Sequence, residues 1–121
     1  MLTEPNQVKQ IIISGLGVMG ASLAMAIRQS SPGIQIIGHD LDEVVQEAIT
    51  RGIVDIPLDQ WPQSCKDAEI IFLATPLNIL RTQLKELNGI VDKQTIVTDV
   101  ASTKMAYLCQ IGSEQFRAYT E

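Results

Sequence analysis

The 121-residue sequence is poor in aromatic residues, cysteine, histidine and positive charge. Cys65 and Cys109 lack the CxxC spacing of zinc and redox sites, and there is one histidine, so no metal site is predicted. The cysteines are consistent with free thiols in a reducing cytoplasm, although a disulfide between them stays open. Nine Lys and Arg against fourteen Asp and Glu give a net charge of −5, without a basic cluster. Such a chain repels a phosphate backbone, which argues against nucleic acid as a partner.

Long apolar runs are also missing. The longest, such as Ile70–Ala74, fall far short of the roughly 20 residues that a membrane-spanning helix needs. Residues 1–10 are polar and lack the apolar core of a secretory signal. We therefore predict no membrane segment, a cytoplasmic location and, at 45% hydrophobic residues, one folded domain over residues 1–121.

Short apolar runs of strand length alternate with longer segments of helical period. Three consecutive isoleucines, Ile11–Ile13, are typical of a strand buried on both faces, and the alternation of strands with helices favours a parallel sheet. We predict an α/β fold, a Rossmann-like doubly wound parallel sheet in three layers, truncated after about the fifth strand. The strands are predicted at Val8–Ser14, Ile34–Asp40, Glu69–Thr75 and Thr95–Val100, with a short third strand within Ile53–Leu58.

The helices are predicted from apolar residues at helical spacing. Met19, Met25 and Met105 are interpreted as helix-packing residues. Asp59 is placed to cap a short helix that runs through Trp61, which is interpreted as the anchor of a surface loop and not as a stacking platform. The helix after the fourth strand has an apolar stripe and ends at Asn88 and Gly89; the stripe consists of Leu77, Leu80, Leu84 and Leu87.

The most informative motif lies between the first strand and the first helix. In a GxGxxG turn, the first glycine permits the turn, the second lets the backbone approach a pyrophosphate, and the third lets the helix pack on the strand. Backbone N–H groups near Val18 and Met19 would point at the phosphates, where the helix dipole favours negative charge. The motif is Gly15-Leu16-Gly17-Val18-Met19-Gly20.

An acidic residue, Asp40, ends the second strand twenty residues after Gly20. A carboxylate there can accept hydrogen bonds from the adenosine ribose hydroxyls and would repel the 2′-phosphate of NADP. No arginine follows immediately, so NAD is the predicted cofactor and NADP is less favoured. The alternative is that the glycines only shape a turn and Asp40 caps a helix. His39 is interpreted as structural or cofactor-adjacent, and not as catalytic.

Four segments, in order and with compatible spacing, carry a family resemblance: GLGVMGASLAMAI, IIGHDLD, AEIIFLATPLNIL and IVTDVASTK. Their most specific parts are Ala21–Ala24 and Thr98–Lys104. Together they resemble the N-terminal half of the prephenate and arogenate dehydrogenases of tyrosine biosynthesis. The resemblance implies NAD(P)-dependent oxidative decarboxylation of a cyclohexadienyl substrate, prephenate or arogenate.

The resemblance also implies roles for later residues. Thr75 and Pro76 would line the cofactor cleft, and Ser102 would lie near the nicotinamide and the substrate hydroxyl as the catalytic candidate, or would cap the last helix. Lys104 shares that motif, without an assigned role.

The family's His-Pro-Met-type motif and its helical C-terminal domain, with dimer contacts, are not in this sequence. We therefore expect a homodimer, or completion by that missing domain. In that family the histidine of this motif takes the proton from the substrate hydroxyl, and such a general base raises the rate about 10² to 10⁴-fold. We therefore expect this chain to bind NAD without turning over prephenate.

Two alternatives stay open. The glycine turn also matches the GLGxMG turn of the 3-hydroxyisobutyrate and 6-phosphogluconate dehydrogenases. That group usually has Asp-x-Ser-Thr and a proline after the corresponding strand, whereas Asp99–Lys104 is one residue longer and lacks the proline. The other alternative is a non-catalytic regulatory module that binds NAD.

Overall fold

The isoleucine run forms the central strand of a parallel sheet. In the computed structural model, which describes residues 8–100, Ile11–Ile13 are almost completely buried in strand β1. Parallel neighbours flank β1 on both sides, as expected for a strand that is apolar on both faces. The strands are β1 (Gln10–Ser14), β2 (Gln35–His39), β3 (Ile56–Pro57), β4 (Ile70–Leu73) and β5 (Ile96–Asp99), in the order β3-β2-β1-β4-β5.

Within residues 8–100, three α-helices cover the two faces of this sheet: α1 (Val18–Ser30), α2 (Asp42–Thr50) and α3 (Leu77–Asn88). Because successive side chains of a strand point to opposite faces, β1 contributes to two separate cores. Ile11 and Ile13 belong to the core that also contains residues of α1 and α2, whereas Ile12 belongs to the core beneath α3. The predicted three-layer, Rossmann-like parallel sheet is confirmed.

The strands are shorter than predicted. The short third strand expected within Ile53–Leu58 is present, with Ile56 and Pro57 paired to β2, whereas the first residues of that stretch are not part of it. The backbone N–H groups of Ile53 and Val54 instead bond to the carbonyl of Ala48, so this stretch first completes the turn out of α2. That turn carries Gly52 at φ +75°, a conformation that favours glycine, as the predicted helix exit requires.

Two predictions about packing and one about a helix cap were wrong. Met19 and Met25 do not pack inside the protein, since 59% and 57% of their surfaces are exposed. Leu77, the first residue of the predicted stripe, is also exposed at 47%, whereas Leu80, Leu84 and Leu87 are fully buried. Asp59 caps nothing, because the short segment is a 3-10 helix (Gln63–Cys65) that begins after Pro62 without a side-chain cap.

The order of the strands positions a site. The chain moves from β1 outward to β2 and β3, then returns to the other side of β1 to form β4 and β5. At such a switch point the loops after β1 and β4 diverge and leave a crevice at the carboxyl ends of the strands. Within residues 8–100, no helix is long and apolar enough to cross a membrane.

Candidate functional site

A cleft of about 710 Å³ opens at this switch point, within the usual size range of small-molecule sites. One wall comes from the glycine turn and the start of α1, and the other from the loop after β4 and the start of α3. Val100, the last described residue, also lines it. The remaining lining residues are Gly15, Gly17, Val18, Met19, Asp40, Ala74, Thr75, Pro76, Leu77 and Ile79.

The glycine turn brings the chain across the end of the sheet. Gly15 has φ +96°, and its N–H donates to the carbonyl oxygen of His39 at 2.8 Å. A Cβ atom on Gly15 would lie 2.6 Å from the carbonyl oxygen of Ala74, so both the backbone angle and the space require glycine.

The other two glycines of the motif serve different purposes. A Cβ on Gly20 would overlap the carbonyl oxygen of Gly15, so this residue lets α1 lie directly against the turn. A Cβ on Gly17 would meet nothing within 4 Å. The space beside Gly17 is therefore open and belongs to the cleft, so a ligand could approach the backbone of this residue directly.

The N-terminus of α1 also faces the cleft. Its N-cap is Gly17, which provides no side-chain hydrogen bond, and its first turn contains no acidic residue. The first N–H groups of a helix have no intrahelical partner, and the helix dipole is positive at this end. The turn therefore fits a phosphate or diphosphate group, for which these N–H groups are donors.

Asp40 connects the glycine turn to the end of β2. Its Oδ2 accepts a hydrogen bond from the Leu16 N–H at 2.7 Å, and its Oδ1 accepts one from the Leu41 N–H, also at 2.7 Å. Leu41 is the N-cap of α2, so Asp40 does not cap that helix by position. A carboxylate has about four acceptor positions, which leaves capacity for ligand hydroxyl groups in the cleft.

The opposite side of the cleft is held by side chains. Thr75 Oγ1 donates to Gln83 Oε1 at 2.6 Å, and Gln83 Nε2 donates to Ser14 Oγ at 2.7 Å. Ser14 Oγ in turn lies 2.7 Å from His39 Nδ1. A continuous chain of hydrogen bonds thus runs from the cleft, under the carboxyl ends of β4 and β1, to the end of β2.

His39 ends this chain and is held on its other side by Trp61. The two rings are stacked with centroids 4.6 Å apart, and the Trp61 Nε1–H donates to Glu86 Oε1 at 2.7 Å. Burial lowers the pKa of His39 below its usual 6.5 and outweighs the negative charges of Asp40 and Glu86, which raise it. These contacts with His39, Glu86 and the core hold the turn that contains Trp61, as its interpretation as a loop anchor expects.

Sequence reasoning missed Ser14 and Gln83. Both are nearly inaccessible, at 0% and 4% exposure. A signal for Gln83 exists, since it lies three residues after Leu80 and four before Leu87, on the buried stripe of α3. A polar residue at such a position needs a buried partner. Of the remaining candidates, Ser102 and Lys104 lie outside the described residues.

The parallel sheet with a glycine turn, an open helix N-terminus and an acidic residue at the end of β2 defines a nucleotide-binding domain of the dehydrogenase class. The sequence profile of the family described as "Prephenate dehydrogenase, nucleotide-binding domain" matches residues 23–115. The chain belongs to this family, which confirms the predicted resemblance. The match begins after Gly20, so the geometry of the glycine turn is an independent observation.

Individual relatives agree. The chain is 37% identical over 102 residues to a prephenate dehydrogenase of Bacillus subtilis. Its fold is similar to an arogenate dehydrogenase of Synechocystis (TM-score 0.72, 33% identity, 92% of this chain). It is also similar to the prephenate dehydrogenase of Aquifex aeolicus in complex with hydroxyphenyl propionate and NAD+ (TM-score 0.73, 26% identity, 87% of this chain). The Bacillus match covers 82% of this chain, but the chain spans only 28% of that relative and 38% of either solved structure.

Proposed function

We propose that this cleft binds NAD, as the cofactor domain of an enzyme that oxidises and decarboxylates prephenate or arogenate. The observation that carries the proposal is the position of Asp40 beside the open N-terminus of α1. The helix end suits the negatively charged diphosphate, and the carboxylate suits ribose hydroxyls. The residues after Asp40 are Leu41, Asp42 and Glu43, so no positive charge follows to accept the 2′-phosphate of NADP.

When bound, NAD supplies the acceptor for a hydride from the hydroxyl-bearing ring carbon of the substrate. The ring carboxylate leaves as CO₂, its bonding electrons complete the aromatic ring, and the ring oxygen carries its proton again in the phenol product, so that no proton is released overall. Family membership supports this reaction for an enzyme that contains this domain. In this proposal the glycine turn and Asp40 hold the diphosphate and adenosine, while Thr75 and Pro76 lie against the nicotinamide half. Ser102 is proposed to contact the substrate hydroxyl.

A homodimer, or coverage of the cleft by a further part of a longer protein, is part of the same proposal. Apolar side chains on the rim support it, since 83% of the surface of Val18 and 40% of Val100 are exposed. A cytoplasmic location stays a prediction from the sequence.

Cofactor choice is tested by calorimetric titration of the chain with NAD and NADP. We expect NADP to bind at least tenfold more weakly, because the charge of Asp40 opposes the 2′-phosphate. Asp40→Asn keeps a side-chain oxygen for the Leu16 N–H but removes the charge. It should weaken NAD binding about tenfold, as for the loss of a charge-assisted hydrogen bond, and bring NADP to a similar affinity.

The matched control is Asp42→Asn, an exposed carboxylate in the first turn of α2 that does not line the cleft. It should leave both affinities within about twofold, as expected for a screened surface charge. Equal or tighter binding of NADP by the unmodified chain would overturn the role of Asp40. The substrate proposal is tested separately by replacing the matching segment of the Bacillus relative with this chain. A folded hybrid that forms no NADH from prephenate or arogenate would contradict it.

A further inference from the structure

A group of buried polar side chains lies directly beneath the cleft. Strand alternation places Ser14 on the same face of β1 as Ile12, at the carboxyl end of the strand and under α3. Its only described side-chain partners, Gln83 and His39, come from α3 and β2. Burying polar groups is costly unless their hydrogen bonds are complete, so this arrangement requires each bond of the chain.

The direction of these hydrogen bonds follows from the donors. Gln83 accepts from Thr75 through Oε1 and donates to Ser14 through Nε2. Because the Ser14 oxygen accepts that bond, its own proton is available for His39 Nδ1, 2.7 Å away. Burial lowers the pKa of His39, and an unprotonated Nδ1 of the neutral ring is an acceptor for this proton. Every donor from Thr75 to Ser14 therefore points away from the cleft.

This direction has a consequence for the ligand. A threonine hydroxyl has one proton and two lone pairs, and the proton of Thr75 is used by Gln83. Thr75 lines the cleft, where its oxygen is left to act as an acceptor. Gln83 itself is buried and is not among the residues that line the cleft.

We infer that Gln83 is a positioning residue that fixes the Thr75 hydroxyl as a hydrogen-bond acceptor for a donor group on the nicotinamide half of NAD. The inference rests on the proposed function. The glycine turn and Asp40 occupy the β1–β2 side of the switch point, so the β4 side faces the other half of the dinucleotide. Two donors of that half have the required chemistry, a ribose hydroxyl and the carboxamide NH₂.

The test compares the binding of NAD, ADP-ribose and ADP to variants of the full chain by calorimetry. Thr75→Val should weaken NAD binding about tenfold, Gln83→Met should weaken it severalfold, and Thr75→Ser should restore it to within about twofold. ADP should bind all of them equally, since it lacks the nicotinamide half. A loss with both NAD and ADP-ribose identifies the ribose hydroxyl, and a loss with NAD alone identifies the carboxamide.

The neighbouring exposed residue Thr82 gives the matched control, because its hydroxyl bonds only to the Asn78 carbonyl of its own helix. Thr82→Val should bind all three ligands like the unmodified chain. If Gln83→Met fails to fold, Thr75→Val and Thr75→Ser still test the acceptor. Unchanged NAD binding by Thr75→Val, or an equal loss of ADP binding, overturns the inference. Failure of the unmodified chain to bind NAD would instead overturn the proposed function.

A second measurement tests the direction of the chain without any ligand. His39 is the single histidine, so its ring nitrogens give one set of ¹⁵N signals. We expect the proton on Nε2 and an unprotonated Nδ1 at neutral pH. A proton on Nδ1 would make Ser14 Oγ the acceptor from His39, contradict the direction of the chain at Ser14, and overturn the inference.

Discussion

The two sides of the cleft are made in different ways. On the β1–β2 side, a ligand would meet backbone N–H groups and one carboxylate, held by a turn in which two of the three glycines leave no room for a side chain. On the β4 side, it would meet a hydroxyl group held by side chains from α3, β1 and β2. The β1–β2 side depends on the absence of side chains at the glycines of the turn, whereas the β4 side depends on hydrogen bonds between side chains.

This difference determines how each side responds to change. The glycine turn is specified by six consecutive residues. A methyl group added to one of its glycines disrupts the turn wherever another part of the backbone lies against that glycine. The β4 side depends on residues separated by up to 69 positions in the sequence, as Ser14 and Gln83 are. Substitutions that keep a hydrogen bond should therefore be tolerated there but cannot rescue the glycine turn.

The largest effect is expected for Gly20→Ala. The new methyl group would overlap the carbonyl oxygen of Gly15; that oxygen belongs to the backbone and the Cβ position is fixed by the backbone, so neither can rotate away. We expect the free energy of unfolding to fall by about 2–3 kcal/mol or more, as for overpacking in a rigid site. Urea unfolding measures this loss.

The control for that change is Gly33→Ala. Its new methyl group would meet nothing within 4 Å, and the residue does not have a positive φ angle. Reducing the freedom of the unfolded chain at such a position is neutral or slightly stabilising. If Gly20→Ala and Gly33→Ala were equally stable, the close packing of α1 against the turn would be wrong.

A smaller effect, confined to binding, is expected for Gly17→Ala. Its methyl group would point into open space, so the free energy of unfolding should change by less than about 0.5 kcal/mol. The same methyl group would stand where a diphosphate approaches the backbone, and we expect NAD to bind about tenfold more weakly, or about 1.4 kcal/mol. Calorimetry on both glycine variants separates the two effects. Unchanged NAD affinity would show that the ligand does not approach Gly17.

The sheet and its helices were predictable because their signals are local. Each element is indicated by a pattern of a few neighbouring residues. Examples are the isoleucine run in β1, the Leu80–Leu87 stripe in α3 and Gly52 at the exit from α2. The bonds of Ile53 and Val54 to the Ala48 carbonyl belong to the same local turn around Gly52, so the short third strand begins only after them. The exposed Met19, Met25 and Leu77 were misplaced because helical spacing does not distinguish an apolar residue of the core from one at the surface.

The candidate site divides along the same line. Gly15, Gly17, Gly20 and Asp40 were identified from spacing alone, and the structure brings them together, although their contact with NAD stays a prediction. The second function of Asp40, as an acceptor for the Leu16 N–H, could not be read from spacing. Ser14 and Gln83 were missed because a single buried polar residue is recognised only when its partner is known.

The smallest predicted effect concerns pH and the far end of the hydrogen-bond chain. Burial lowers the pKa of folded His39 below 6.5, more than Asp40 and Glu86 raise it. Between the lowered pKa of folded His39 and the value of about 6.5 in the unfolded chain, the unfolded chain binds more protons than the folded one. The free energy of unfolding should therefore rise with pH up to about 6.5 and then become independent of His39. His39→Gln keeps a partner for Ser14 but does not titrate, so it should lack this rise. Urea unfolding of both proteins on either side of that pH measures the difference. An imidazole signal that titrates above 6.5 would place His39 outside the buried chain and detach it from the β4 side of the cleft.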